Sequence, residues 1–259
     1  GYHLLDSLIG FPDVGDILTF TKANEISLSV SGPFADDLTA KALDYEDNII
    51  IKAAKLVCNA NQGVKIHLTK ILPVAAGIGG GSADAATTLV AVSELWNSSI
   101  PSIKDIVALG ADVPVCLNEG FQRMRGIGDK LIDLPKPSQV WIVLVNSGLK
   151  IPTQTIFDEI DFVDNEPLNK LPMFNNPKAF FDYLSNQRND LEKVACNRFP
   201  EIKNILQILN STAGSKLVRM SGSGSTCFAL YASEREALCA ASSIQNQFNK
   251  YWVKATTIF

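Results

Sequence analysis

Apolar residues take every second position at Ile26, Leu28 and Val30, with Glu25, Ser27 and Ser29 between them. They do so again at Val64, Ile66 and Leu68, with Lys65, His67 and Thr69 between. This is the period of strands that bury one face. Further on the period lengthens: Ala85, Leu89, Val92 and Trp96 fall at i, i+4, i+7 and i+11, the stripe of an amphipathic helix laid on a sheet. Ile17 to Phe20 predicts a short strand after the turn residues Pro12, Asp13 and Gly15. Asp47 stands where it can cap a helix with Ile50, Ala54 and Val57 or Cys58 inward, and Ser102 to Leu109 predicts a short helix.

The second half follows another pattern. Trp141 to Val145 is an unbroken apolar strand, and Ile151 to Phe157 begins a helix. Asp164 to Lys178 is mostly polar and proline-bearing, which predicts an irregular connection. Helices are expected near Asn189 to Cys196 and Glu201 to Asn210, followed by strands at Leu217 to Met220 and Thr226 to Tyr231. Glu234 to Phe248 predicts a helix with Ala237, Leu238, Ala241 and Ile244 inward, and Trp252 to Phe259 a closing strand. Leu134-Pro135-Lys136-Pro137-Ser138 has the composition of a linker, so we expect an α/β chain of two domains, residues 1–136 and 137–259.

One segment obeys neither period. Leu72-Pro73-Val74-Ala75-Ala76-Gly77-Ile78-Gly79-Gly80-Gly81-Ser82 joins the strand at Val64 to the helix at Ala85. Four glycines in five positions expose bare amides, and the helix start that follows adds unpaired N–H groups and the positive end of the dipole. Together these form a cradle for phosphate. It is not a P-loop, because no Lys stands beside the last Gly; Ser82 and Ala83 occupy those places. It is not a dinucleotide fingerprint either, since Ser82 falls where the third Gly of G-x-G-x-x-G belongs.

Composition narrows the ligand. With 259 residues and 46% apolar content the chain can bury large cores, and its formal charge of −4 gives no general attraction to nucleic acid or anionic membrane. A bound phosphate must therefore be held locally. Cys58, Cys116, Cys196, Cys227 and Cys239 are odd in number and far apart, without metal-ligand spacing. They read as reduced, mostly buried thiols of a cytoplasmic protein.

Several separated segments now coincide with one pattern. The loop at Pro73 to Ser82 resembles the phosphate-binding signature of the GHMP small-molecule kinases, and Ser221-Gly222-Ser223-Gly224-Ser225 is similar to their C-terminal glycine turn. Gly1-Tyr2-His3, Glu46-Asp47-Asn48, Leu109-Gly110-Ala111-Asp112-Val113-Pro114 and Gly126-Ile127-Gly128 resemble, more narrowly, the branch that phosphorylates the 2-hydroxyl of 4-diphosphocytidyl-2-C-methyl-D-erythritol in the non-mevalonate isoprenoid pathway. The resemblance implies the two-domain α+β kinase fold with its site in the cleft between the domains. It implies ATP as co-substrate, with Mg²⁺ following from the chemistry of ATP. The partner is a small cytidine diphosphate derivative, with no nucleic acid or membrane, and the chain is a monomer or homodimer.

Site residues follow by the same resemblance. Asp112 matches the catalytic Asp, and Pro73, Ala75, Ala76, Gly77, Gly79, Gly80, Gly81 and Ser82 match the nucleotide loop. Asn48 and Lys70 fall near the adenine pocket. Tyr2, His3 and Phe157 match the cytosine site, while Thr153, Gly222 and Gly224 fall on the acceptor side. The family also carries a Lys and a neighbouring Asn on a strand ahead of Gly-Tyr-His, which we expect upstream of Gly1. Other readings remain: Asp112 as a helix cap before Pro114, Ser221 to Ser225 as a plain hairpin, Phe157 as core and Tyr2 as a surface aromatic. Arg123 and Arg125 carry no motif and are expected in solvent, and His67 is expected to be a structural surface residue. The alternative functions are another GHMP kinase, acting on homoserine or mevalonate, and a nucleotide-binding chain without catalysis. Tyr2, His3 and Phe157 speak against the first, and only lack of the Lys would imply the second.

Overall fold

The computed structural model describes residues 4–39, 47–118, 120–160, 165–172, 174 and 176–258. The chain opens with β1 (Leu5–Ile9), β2 (Ile17–Ala23), β3 (Ser27–Ser31), the short α1 (Ala35–Thr39), α2 (Ile49–Val57) and β4 (Gly63–Thr69). After the glycine loop come α3 (Gly80–Trp96), α4 (Ile103–Leu109), a 3-10 turn at Pro114–Leu117, and the hairpin of β5 (Gln122–Gly126) and β6 (Lys130–Asp133). The remainder runs β7 (Val140–Asn146), α5 (Thr153–Asp158), α6 (Pro177–Ser185), α7 (Asp190–Arg198), α8 (Pro200–Asn210), β8 (Leu217–Met220), β9 (Cys227–Tyr231), α9 (Glu234–Gln247) and β10 (Trp252–Ile258).

The alternating segments pair as read. In the three-stranded sheet β2-β4-β3, β4 lies antiparallel to β2 and parallel to β3. Val64, Ile66 and Leu68 face inward, onto Ala53, Ala54 and Val57 of α2 and Ala85, Leu89 and Val92 of α3. On the other face the His67 ring meets the Ser29 and Ser31 hydroxyls, each at 2.9 Å, a structural role. The helix cap shifts by one residue from the prediction. Asn48, in extended conformation, accepts the Ile50 N–H at 2.9 Å, while Asp47 pairs instead with Lys52.

A second sheet, β10-β7-β9-β8, is antiparallel throughout. Its central strand reads as an unbroken apolar run because both faces are covered. Val143 and Val145 pack with Ile202, Ile205 and Leu209 of α8 and Ile244 of α9; Val140, Ile142 and Leu144 pack with Phe121, Phe180 and Phe181. In α9 the inward face is Ala237, Ala240 and Ile244, whereas Leu238, expected inside, is 49% exposed.

Three parts of the chain depart from expectation. Helix α6 begins inside the stretch expected to be irregular: the Asn176 side chain accepts the Ala179 N–H, Pro177 occupies the first turn, and Phe180 and Phe181 provide a buried face. Strands β1, β5 and β6 form a third, antiparallel sheet in which Arg123 is not in solvent. Its guanidinium makes two 2.6 Å hydrogen bonds to Asp6, and Asp6 also accepts the Leu168 N–H at 3.1 Å. Arg125 remains half-exposed at 3.8 Å from Asp6. Of the five free thiols only Cys227 is fully buried, and Cys239 is exposed.

The third apolar cluster joins the two halves. Leu8, Val14, Phe121 and Leu134 meet Val140, Ile142, Leu144 and Ile258. Beside it the Asp13 N–H donates to the Thr257 carbonyl, and the Thr256 hydroxyl donates to the Asp13 carbonyl, both at 2.9 Å. Among the described residues no helix is long and apolar enough to cross a membrane.

Candidate active site

Between Thr69 and Gly80 the chain must leave a strand and enter a helix while presenting its amides. Gly77 and Gly79 make this possible by adopting φ of +70° and +69°, and Gly79 is the residue from which α3 starts. Ala75 shares this left-handed region at φ +56°, an uncommon conformation for a residue with a Cβ. No side chain caps α3, so its first amides are unclaimed by a capping group. Gly81 has nothing within 4 Å of where a Cβ would stand, and Ser82 is half-buried beside it. An anion with several oxygens is the natural occupant of such a head.

The second glycine turn lies directly against the first. A Cβ on Gly77 would collide with the Gly224 carbonyl, so only glycine permits this approach. The Ser221 hydroxyl donates to the Gly77 carbonyl at 2.9 Å, and the Thr226 N–H donates to the Ala76 carbonyl at 3.0 Å. Gly222 and Gly224 both have positive φ. Their turn is held from behind: Asn189 donates to the Met220 and Gly222 carbonyls, and Glu192 accepts the Met220 N–H. From the start of α5, Thr153 pairs with the Ser223 hydroxyl at 3.0 Å. The turn is therefore more than a hairpin linker, since its contacts reach the first glycine loop, α5 and α7.

Asp112 stands just ahead of the 3-10 turn that packs on α3. Val113, not Asp112, begins that turn, and no side chain caps it. Among the described residues the Asp112 carboxylate accepts no hydrogen bond, so the capping alternative gives way to an unclaimed oxygen pair. Although Asp112 is open to water, the chain crowds it enough that burial raises its carboxyl above the ordinary value. Cys116, on the next turn, feels both this carboxylate and Asp84 of α3; burial first, then both acids, push its thiol up to about 12. Asp112 thus belongs to the same neighbourhood as the α3 start. Gly128 explains part of the Gly-Ile-Gly motif: with φ +99° it backs onto the Ala111 carbonyl, 2.5 Å from where a Cβ would stand.

The Lys70 side chain turns inward. Its ammonium sits 2.5 Å from Asp16 and 3.0 Å from Asp84, and the side chain is only 4% exposed, so what Lys70 could offer an adenine is its main chain. Sequence reasoning missed these two acids; Asp16 follows a turn glycine and Asp84 hides in an alanine-rich helix start, with no motif to mark either. Burial, reinforced by Asp16 and opposed by Lys70, pushes Asp84 up to about 6. Asn48 commits its side-chain oxygen to the cap of α2. Pro73 and Ala76 are buried under the loop, while Phe157 is half-buried on α5. Tyr2 and His3 lie outside the described residues. Two surface recesses, of about 430 Å³ and 240 Å³, lie around Lys216, and no residue of either glycine turn lines them.

Comparison with known proteins bears on the fold and the family. Residues 48–122 match the family model of the GHMP kinases N terminal domain, and residues 170–250 that of the GHMP kinases C terminal. The chain is 43% identical over 255 residues to 4-diphosphocytidyl-2-C-methyl-D-erythritol kinase of Cereibacter sphaeroides (strain KD131 / KCTC 12085), covering 98% of this chain and 90% of that one. A crystal structure of 4-(cytidine 5'-diphospho)-2C-methyl-D-erythritol kinase superposes with a TM-score of 0.78 at 30% identity, over 100% of this chain and 91% of the other. A homoserine kinase from Cytophaga hutchinsonii ATCC 33406 superposes at 0.69 with 16% identity, over 99% of this chain and 89% of the other, and shares the fold alone.

Proposed function

The chain belongs to the 4-diphosphocytidyl-2-C-methyl-D-erythritol kinases of the GHMP superfamily, and we propose from that premise how its residues divide the work. The enzyme is a small-molecule kinase that transfers phosphate from ATP to the 2-hydroxyl of 4-diphosphocytidyl-2-C-methyl-D-erythritol in the non-mevalonate isoprenoid pathway. Phosphoryl transfer asks a protein for in-line positioning and charge stabilisation rather than covalent chemistry. The amides of Gly79, Gly80, Gly81 and Ser82 hold the β- and γ-phosphates at the head of α3. Asp112 takes the proton of the attacking hydroxyl. Thr153 and the turn at Gly222 to Gly224 face the acceptor; Tyr2, His3 and Phe157 take the cytosine, and Asn48 the adenine side.

Residues 1–136 form the nucleotide half and 137–259 the acceptor half, in a cytoplasmic enzyme acting on a small molecule. Mg²⁺ would enter with ATP and lower the charge on its phosphates. Among the described residues no group of three or more His, Cys, Asp or Glu side chains is gathered to hold a metal.

The observation that supports these roles best is an Asp112 carboxylate with no hydrogen bond among the described residues, ahead of a turn packed on the helix whose head has no side-chain cap. A coupled assay for ADP release in the presence of the cytidyl substrate tests them. Turnover on that substrate, with phosphate appearing on its 2-hydroxyl, is expected. ATP binding without turnover, or preference for homoserine or mevalonate, would overturn the assignment.

A further inference from the structure

We propose that Asp16, Lys70 and Asp84 form a buried clasp that ties the two ends of the phosphate loop together, with Asp16 as its positioning residue. The three come from separate places: Asp16 precedes β2, Lys70 follows β4, and Asp84 lies one turn into α3. The loop leaves the sheet at Ile71 and Leu72, and Asp16 Oδ1 accepts both of those N–H groups, at 2.6 and 2.9 Å. The loop returns as α3 at Gly80. There Asp16 Oδ2 meets Lys70 Nζ at 2.5 Å, and the same ammonium reaches Asp84 Oδ2 at 3.0 Å. One carboxylate therefore grips the entry directly and the exit through a lysine.

Gly80 rests on this clasp. A Cβ there would stand 3.5 Å from Lys70 Nζ and 3.6 Å from Asp16 Oδ2, with Leu72 at 3.3 Å. The side chains of Lys70, Asp16 and Asp84 are 4%, 0% and 6% exposed, so none of them can touch a nucleotide. Burying ionised groups is costly, and apolar residues of similar volume are often as stable or more so. Two carboxylates also claim the one ammonium, which leaves no surplus positive charge beneath the cradle. The loop's amides hold the anion, and their aim depends on the fixed span between Leu72 and Gly80. A preorganised loop spares the ordering cost that a slack one would incur on binding.

The inference rests on the loop being the ATP cradle, and the test separates the two. Asp16→Asn keeps the size and the Oδ1 acceptor but removes the charge that holds Lys70. We expect ATP to bind roughly tenfold more weakly, the scale of losing loop preorganisation, while adenosine and cytidine diphosphate bind as in the wild type and kcat falls less than the KM for ATP rises. General unfolding would instead weaken all three ligands. The triple variant D16N/K70M/D84N, which removes every buried charge, should regain thermal stability without regaining ATP affinity. An Asp16→Asn protein with the wild-type preference for ATP over adenosine would overturn the clasp, as would a triple variant that recovers both stability and affinity. Wild-type protein that binds no ATP would overturn the nucleotide assignment itself and, with it, the clasp.

Discussion

Asp112 shows how much one side chain owes to what surrounds it. Its carboxylate has no hydrogen-bond donor among the described residues, and crowding raises its pKa, so it is a better proton acceptor than an ordinary surface aspartate. Asp112→Asn should lower kcat by about 10² to 10⁴, the contribution of a positioned general base, while ATP affinity measured by calorimetric titration stays within about twofold. A mutant with normal kcat would remove the role. The sign of the pH dependence follows: a base works only when ionised, so the rate falls as pH drops through its pKa. Because that pKa is raised, the acid limb of the kcat profile should lie above the ordinary carboxylate range and vanish in the variant. Asp112 stands out in the sequence because it sits in a motif. The partners of Lys70 were not legible, since nothing near it in sequence announces Asp16 or Asp84.

At the scale of elements, period and capping decided the strands and helices that stand alone as patterns. β4 and α3 appear where alternation and the longer stripe put them, because one face of each is buried against the other. The hairpin β5–β6 was not legible: Gln122-Arg123-Met124-Arg125 offers few apolar positions, and what draws its polar residues inward lies far off in sequence or out of period, with Arg123 on Asp6 and the Gln122 amide nitrogen on the Val115 and Asn118 carbonyls. The glycine loop yields a graded prediction. Gly79→Ala meets no neighbour, so only its left-handed backbone resists, at about 1 kcal/mol. Gly77→Ala adds a collision with the Gly224 carbonyl and should cost about 2–3 kcal/mol while parting the two turns. Thermal melts with and without ATP check the order; equal losses for the two would show that the turns do not need each other.

The whole molecule behaves as one body if its shared cluster holds. Leu8, Val14, Phe121 and Leu134 bury themselves with residues beyond 139, so calorimetry should record a single unfolding transition, and two well-separated transitions would contradict this. The tie between Arg123, Asp6 and Leu168 spans the same divide. Burial of Asp6 works against its charge, but the Arg123 hydrogen bonds and charge outweigh it and hold the carboxyl below the usual range. Arg123→Ala should cost about 2 kcal/mol at neutral pH in urea unfolding. Because the folded pKa is depressed, the contribution is present above the unfolded value and lost as pH falls through the folded one, so the gap between variant and wild type should narrow in acid.

What the residues settled among themselves was local: two strands by alternation, a helix by its stripe, a glycine loop ahead of that helix, and the family by motifs in order. Those signals act within a few positions of the chain. What only the folded molecule decided was which distant polar groups meet. Asp16 finds Lys70 across 54 residues, and Ser221 finds Gly77 across 144. Such pairs leave no periodic trace, because they depend on how sheets and helices stack against each other and not on any neighbour in sequence.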